Sequence, residues 1–277
     1  MTTTAESPDT GSASAAPRVD CTADSAGGLT FDVIATSDAD ATLVLRRHGA
    51  NAGGEVRLPL TPAAEGLLRA VLPSTVDLAE GVWDMCLSFG TGPEQRLEPG
   101  VRDLRALVDR EPGPDAERIA VRIPYPVRSG ELAVRSWLRR PHAETGTLGF
   151  EGPSVTVQGR LYGTEFGPDA AVEARLRGGS GRVHRVAAST GGGGGDFTFT
   201  LPYAPLADGL DAKEWLWDLW LLPGSGGPAV RLARILDDVP LKQAIFVYPG
   251  TKAGSAVVRP YYTGANDLSV RVDAVRT

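Results

Sequence analysis

At 277 residues, with 42% hydrophobic and 22% charged side chains, the chain has the balance of a folded soluble protein and is long enough for two domains, each with its own core. Its net charge of −6 excludes a broad phosphate-binding face, so nucleic acid is not an expected partner. No apolar run reaches the roughly 18 residues needed to cross a bilayer, so no membrane insertion is expected.

Taken in chain order, residues 1–24 read as a disordered tail, 25–148 as a first β-sandwich and 149–277 as a second. The stretch from Met1 to Pro17 is rich in Ser, Thr, Ala and Asp and has neither the basic nor the apolar part of a secretion signal. Cys21 falls in the expected tail and Cys86 in an apolar strand, so no disulfide framework is expected and a reducing cytoplasm is the expected compartment. Short β-branched or alternating runs bounded by Gly, Pro, Asp or Asn predict strands at 30–34, 42–45, 55–60, 67–72, 82–89 and 132–138. Only Val101 to Asp109 has a helical look. After a Gly-rich boundary at 146–153, strands are predicted at 154–161, 171–176, 183–187, 197–201, 215–222, 229–235, 243–248, 257–262 and 269–275. Abundant glycine (34) and proline (21) fit many tight turns, and the fold class is all-β, two tandem immunoglobulin-like sandwiches.

The tandem is visible as an internal repeat. Leu72-Pro73 followed by Trp83-Asp84 matches Leu201-Pro202 followed by Trp217-Asp218, and Arg96-Leu97 matches Arg231-Leu232. Gly28 to Val33 matches Ser154 to Gly159. Ile123 to Pro126 is aligned with Phe246 to Pro249, and Leu132 to Trp137 with Ala256 to Tyr261. The second copy adds a loop at 206–212, a glycine run and two more tryptophans, so specialised function is expected there.

Few residues carry recognisable chemistry. GxSxG, Walker A, HExxH and CxxC patterns are absent, and no cofactor or metal is expected. Gly191 to Gly195 lacks the Lys-Ser/Thr of a phosphate loop and reads as a flexible hairpin loop. His48, His142 and His184 each sit beside arginines, either as solvated charges or as an anion-binding rim. Asp237-Asp238 reads as part of a solvated turn. Trp83 and Trp217 read first as core tryptophans. The alternative is a ligand platform in which Trp215 and Trp217 share one strand face and Trp220 takes the other, with Arg259, Tyr261 and Tyr262 completing the candidate ligand-binding set.

The C-terminal run from Val258 to Thr263, with Asn266 to Val272, resembles the end of β-sandwich accessory segments that follow the catalytic domains of actinobacterial glycosyltransferases and glycerophosphotransferases. The transferase domain itself has no counterpart here, so the resemblance implies an accessory module in glycan or cell-envelope polymer assembly and transfers no catalytic residue. Three functions follow: a non-enzymatic scaffold for a protein partner such as a transferase, a carbohydrate-binding module, or an enzyme with a site between the sandwiches.

Overall fold

The computed structural model describes residues 16–34, 41–49, 53–90, 92–108, 110–113, 116–178, 181–191, 194–224 and 226–275. The first unit runs through β1 (Arg18–Ala23), β2 (Leu29–Ile34), β3 (Ala41–Arg47), β4 (Glu55–Pro59), β5 (Thr61–Ala64), β6 (Leu67–Leu72), β7 (Gly81–Phe89), β8 (Gln95–Arg96), β9 (Glu98–Asp103), β10 (Ile119–Pro126) and β11 (Leu132–Arg139). One sheet has the order β5-β6-β2-β1-β9 and faces β10-β11-β7-β3-β4, with β8 beside β7. The second unit runs through β12 (His142–Gly149), β13 (Ser154–Tyr162), β14 (Ala171–Leu176), β15 (Val183–Ala187), β16 (Ser189–Thr190), β17 (Asp196–Pro202), β18 (Glu214–Leu222), β19 (Val230–Ala233), β20 (Thr251–Ala253), β21 (Ala256–Tyr262) and β22 (Leu268–Ala274). Its order β16-β17-β13-β12-β19 repeats the first sheet, and β21-β22-β18-β14-β15 repeats the second.

The repeat therefore holds at the level of hydrogen bonding. In the first unit β8 pairs β7 and the chain then crosses to pair β1 in parallel as β9. In the second, β19 does both, pairing β18 with Val230 and Arg231 and β12 with Leu232 and Ala233. Alternation drives each central strand: Trp83, Met85 and Leu87 of β7 face the first core, and Trp215, Trp217, Leu219 and Leu221 of β18 face the second. Each such buried large side chain is worth roughly 1.5–3 kcal/mol over its exposed state. Pro73 and Pro202 follow the same core leucine in both units, Leu72 and Leu201, each fully buried.

Several expectations are corrected. The tail ends sooner than residue 24, because Arg18–Ala23 is a strand held between β2 and β9; residues 1–15 lie outside the described residues. The Gly-rich boundary belongs to β12, which pairs β13 and β19, so the second unit begins at His142 and not at 149. The helical-looking stretch is the end of β9 and a 3-10 turn over Arg105–Leu107, with Asp109 outside the described residues. The predicted strand at 243–248 is instead a 3-10 turn, Lys242–Ala244, and irregular chain. The glycine run connects β16 to β17 as a hairpin, with Gly192 and Gly193 outside the described residues.

The two units are fused, with only Arg140 and Pro141 between β11 and β12. Ala233 and Ile235 of the second unit are fully buried members of the first unit's core, and Trp137 Nε1 donates to Ala265 O at 2.9 Å across the junction. Much of the polar chain around the junction is paired, although His142 Nδ1 is buried without a hydrogen-bond partner. Glu144 accepts from the backbone amides of Ile235 and Leu236, and lies 2.7 Å from Nε2 of the fully buried His142. Lys242, 0% exposed, meets Asp237 at 2.5 Å and Val239 O at 3.1 Å. Burial holds its ammonium below the ordinary lysine value even against the pull of Asp237. Asn266 takes a positive φ of 61°, and its side chain binds Lys242 N and Val239 O, which over-determines that turn.

Candidate functional site

An open groove of about 880 Å³ lies on the outer face of β18, β22 and β21. Because side chains alternate across a strand, the residues between the core positions form its floor: Glu214 and Leu216 from β18, Arg271 and Asp273 from β22, Arg259 and Tyr261 from β21. One wall is the segment after the 3-10 turn, with Phe246, Val247 and Tyr248. Phe246 and Tyr248 turn inward onto Tyr262 at ring-centroid distances of 5.8 and 6.1 Å, leaving Ile245 and Val247 63% and 81% exposed.

Charge in the groove is uneven. Arg271 is occupied by Glu214 at 2.6 Å and Asp273 at 2.9 Å, and Arg177 by Asp218 at 2.5 Å. Lys213 and Arg259 line the same groove, and among the described residues neither side chain has a hydrogen bond or ion pair. Two positive charges are thus left over.

The structure distributes the sequence-predicted ligand set over three environments. Arg259 and Tyr261 line the groove. Trp215 and Trp217 are 9% and 1% exposed and face the core, where Trp217 Nε1 donates to Leu206 O at 3.2 Å, so the platform expected from that strand face is consumed by core packing. Tyr262 is also interior: its hydroxyl lies 2.9 Å from Thr145 Oγ1, and burial pushes its phenol well above the ordinary value. Trp220 lies on the opposite face of β18, between the guanidinium groups of Arg175 and Arg231 at 5.0 and 5.3 Å from its ring centre.

Trp220 borders a second cavity of about 490 Å³ between the units, with Glu80, Arg139, Arg231 and Asp267. These charges neutralise one another: Arg139 meets Glu80 at 2.8 Å and Asp267 at 2.9 Å, and Arg231 meets Asp218 at 3.0 Å. The cleft is built as a joint. The histidines are not gathered into a rim: His48 pairs with Asp84 at 2.9 Å, His142 is interior, and His184 lies on β15, its pKa lowered by burial. Asp237 is occupied by Lys242 and Arg234. Among the described residues no group of three or more His, Cys, Asp and Glu could hold a metal ion, and no helix is long and apolar enough to cross a membrane.

Sequence reasoning missed the wall and Lys213. The signal for the floor was present in the outward alternation of Val257, Arg259, Tyr261 and of Arg271, Asp273.

No protein-family model and no curated protein matches the chain. Among solved structures, residues 217–571 of TarS from S. aureus are 14% identical over 68% of this chain and 56% of that one, with a TM-score of 0.32. A pullulanase from Anoxybacillus sp. LM18-11 complexed with maltotriose is 10% identical over 73% of this chain and 24% of that one, at 0.25. A tetra-tandem repeat from the extending region of a large adhesion protein is 14% identical over 78% of this chain and 47% of that one, at 0.23. The chain spans between a quarter and little more than half the length of these structures, and the fold assignment here rests on its own strand order.

Proposed function

We propose that this protein is a non-catalytic interaction module whose second sandwich presents its groove to a protein partner. The observation that carries the reading is the pair of unpartnered cations, Lys213 and Arg259, in the same groove as the exposed aliphatic side chain of Val247. In a chain of net charge −6, a groove with spare positive charge selects an anionic surface, while the exposed Val247 on its wall gains by being covered. The fused joint supports the same reading, because it presents the groove on a stiff body with little ordering entropy left to lose on binding. The likeness of the C-terminal run to accessory sandwiches points to a transferase of glycan or cell-envelope polymer assembly as the partner. The module is proposed to act in the cytoplasm, where cysteines such as Cys21 and Cys86, which form no disulfide, are the usual case.

Carbohydrate binding is the second reading, favoured by Tyr261 on the floor of a groove that Arg177 and Arg271 also line. Affinity capture from a lysate of the source cells, run in parallel with the wild type and a Lys213→Glu/Arg259→Glu variant, tests the first. A partner retained by the wild type and lost from the variant is expected; partners retained equally by both contradict the reading.

A further inference from the structure

The pairing registers make this groove equivalent to a face that is covered in the first unit. Trp83 lies opposite Val134 as Trp217 lies opposite Val270, and Tyr125 lies opposite Ala133 as Tyr261 lies opposite Ser269. Along the same registers Ile123 corresponds to Arg259, Arg135 to Arg271 and Trp137 to Asp273. In the first unit Ile123, Tyr125 and Trp137 are 0%, 6% and 0% exposed, and Trp137 is bonded to Ala265 of the second unit. The fold therefore uses this face to receive another piece of structure, and in the second unit the face is open.

Two replacements say what the open face does not receive. Arg259 stands where Ile123 stands in the first unit, and Asp273 where Trp137 stands, so another sandwich docking in the same manner would bury charges without partners. The wall says what it does receive. Phe246 and Tyr248 lie on one side with ring centres 6.4 Å apart while Val247 between them is exposed, the alternation of extended backbone over 246–248, after Ile245 has closed the 3-10 turn. Pro249 holds Tyr248 in the extended region as well. Among the described residues the backbone N–H and C=O groups of Val247 and Tyr248 have no hydrogen-bond partner. A strand-prone segment with an open hydrogen-bonding edge is a template for strand addition.

We infer that the groove takes an extended acidic peptide segment of a partner protein. Its main chain pairs with whichever of Val247 and Tyr248 turns its peptide groups to the groove, since the two face opposite edges of an extended segment. The peptide's carboxylates meet Lys213 and Arg259, and its aliphatic side chains cover Val247. This names the occupant for the interaction-module reading and rests on that reading. A glycan would leave the aliphatic side chains and the backbone edge of the wall unused.

Fluorescence anisotropy on the whole protein tests the inference with four labelled probes: an alternating Glu-Val peptide, an alternating Lys-Val peptide, the Glu-Val peptide N-methylated at alternate amides, and an oligogalacturonate. The Glu-Val peptide is expected to bind. N-methylation, or the Lys213→Glu/Arg259→Glu variant, should weaken it by about tenfold or more, and the Lys-Val peptide should not bind. Both substituted side chains are exposed, and an unchanged melting temperature shows that the variant is folded. Binding of oligogalacturonate but not of the Glu-Val peptide overturns the peptide while keeping the groove as a binding site. Absence of binding by every probe, or binding of the Glu-Val peptide that ignores both N-methylation and the variant, also overturns it. If, in addition, the captured partners are indifferent to the variant, the interaction-module reading falls with it.

Discussion

The two sandwiches share strand order and register but spend their outer faces differently. On β7 the outward Asp84 and Cys86 sit in a surface network of Arg46, Glu55, Glu94, Arg96 and His48. At the equivalent positions on β18, Asp218 and Trp220 are enclosed by Arg175, Arg177, Arg231 and Ser269 beside the joint. On the neighbouring hairpin the relation reverses, since the first unit buries Ile123 and Trp137 where the second opens a groove lined by Arg259 and Asp273. In both units the inward residues are committed to core packing, whereas the outward residues form a joint in one place and an open groove in another.

The core comparison can be broken most severely at the matched tryptophans. Trp217→Ala and Trp83→Ala should each cost about 3–5 kcal/mol in urea unfolding, because both leave cavities and orphan a carbonyl, that of Leu206 or Ala79. Since Ala233 and Ile235 complete the first core, calorimetry of either variant should show one cooperative transition; two separated transitions would mean that the units fold independently.

A comparable loss is expected at the joint. Lys242→Met leaves Asp237 buried without its main partner and should destabilise by about 3–5 kcal/mol. Lys242→Met with Asp237→Leu should recover most of it. Failure of the double variant to recover would place the loss in the hydrogen bond to Val239 O instead.

Converting the second hairpin face toward the first, with Arg259→Ile and Asp273→Trp, should produce concentration-dependent self-association in analytical ultracentrifugation while stability stays within about 1 kcal/mol. A strictly monomeric variant would show that the apolar face of the first unit needs more than those two side chains.

The smallest effect concerns pH. Burial raises the pKa of Asp218, but Arg177, Arg231 and Ser269 outweigh it and hold the carboxyl below its ordinary value. The stabilisation is therefore complete above the unfolded carboxylate pKa and is lost as pH falls through the lower folded value. Asp218→Asn should be less stable than the wild type at neutral pH and lose less on acidification; parallel acid profiles would contradict this.

Much of the fold could be read in the sequence because it is written locally. Strict alternation marked β18, and Leu-Pro and Trp-Asp pairs marked equivalent points of the two units. β1, β9 and β12 were missed because each also depends on a remote neighbour that no local pattern shows: β1 and β9 pair in parallel, and β12, reading HAETGTLG, pairs β19 as well as β13. Ile245 to Tyr248 misled in the opposite sense, with strand-forming residues and no strand to pair. It also drew Ile123 to Pro126 into a false alignment; the true partner of Ile123-Pro124-Tyr125 is Arg259-Pro260-Tyr261, and that of β11 is β22. The groove was only partly visible because it gathers residues from five separated stretches, of which the sequence singled out Arg259 and Tyr261.

The most direct test of the central claim, that the hairpin face covered in the first unit is a binding face in the second, is amide hydrogen exchange of the whole protein with and without the Glu-Val peptide. The account predicts fast exchange at Val247 and Tyr248 in the free protein, slowed on binding at the one of the two that faces the groove, with β10 and β11 unchanged. Protection that appears at other edges, or amides at Val247 and Tyr248 that exchange at the same rate in both states, would contradict it.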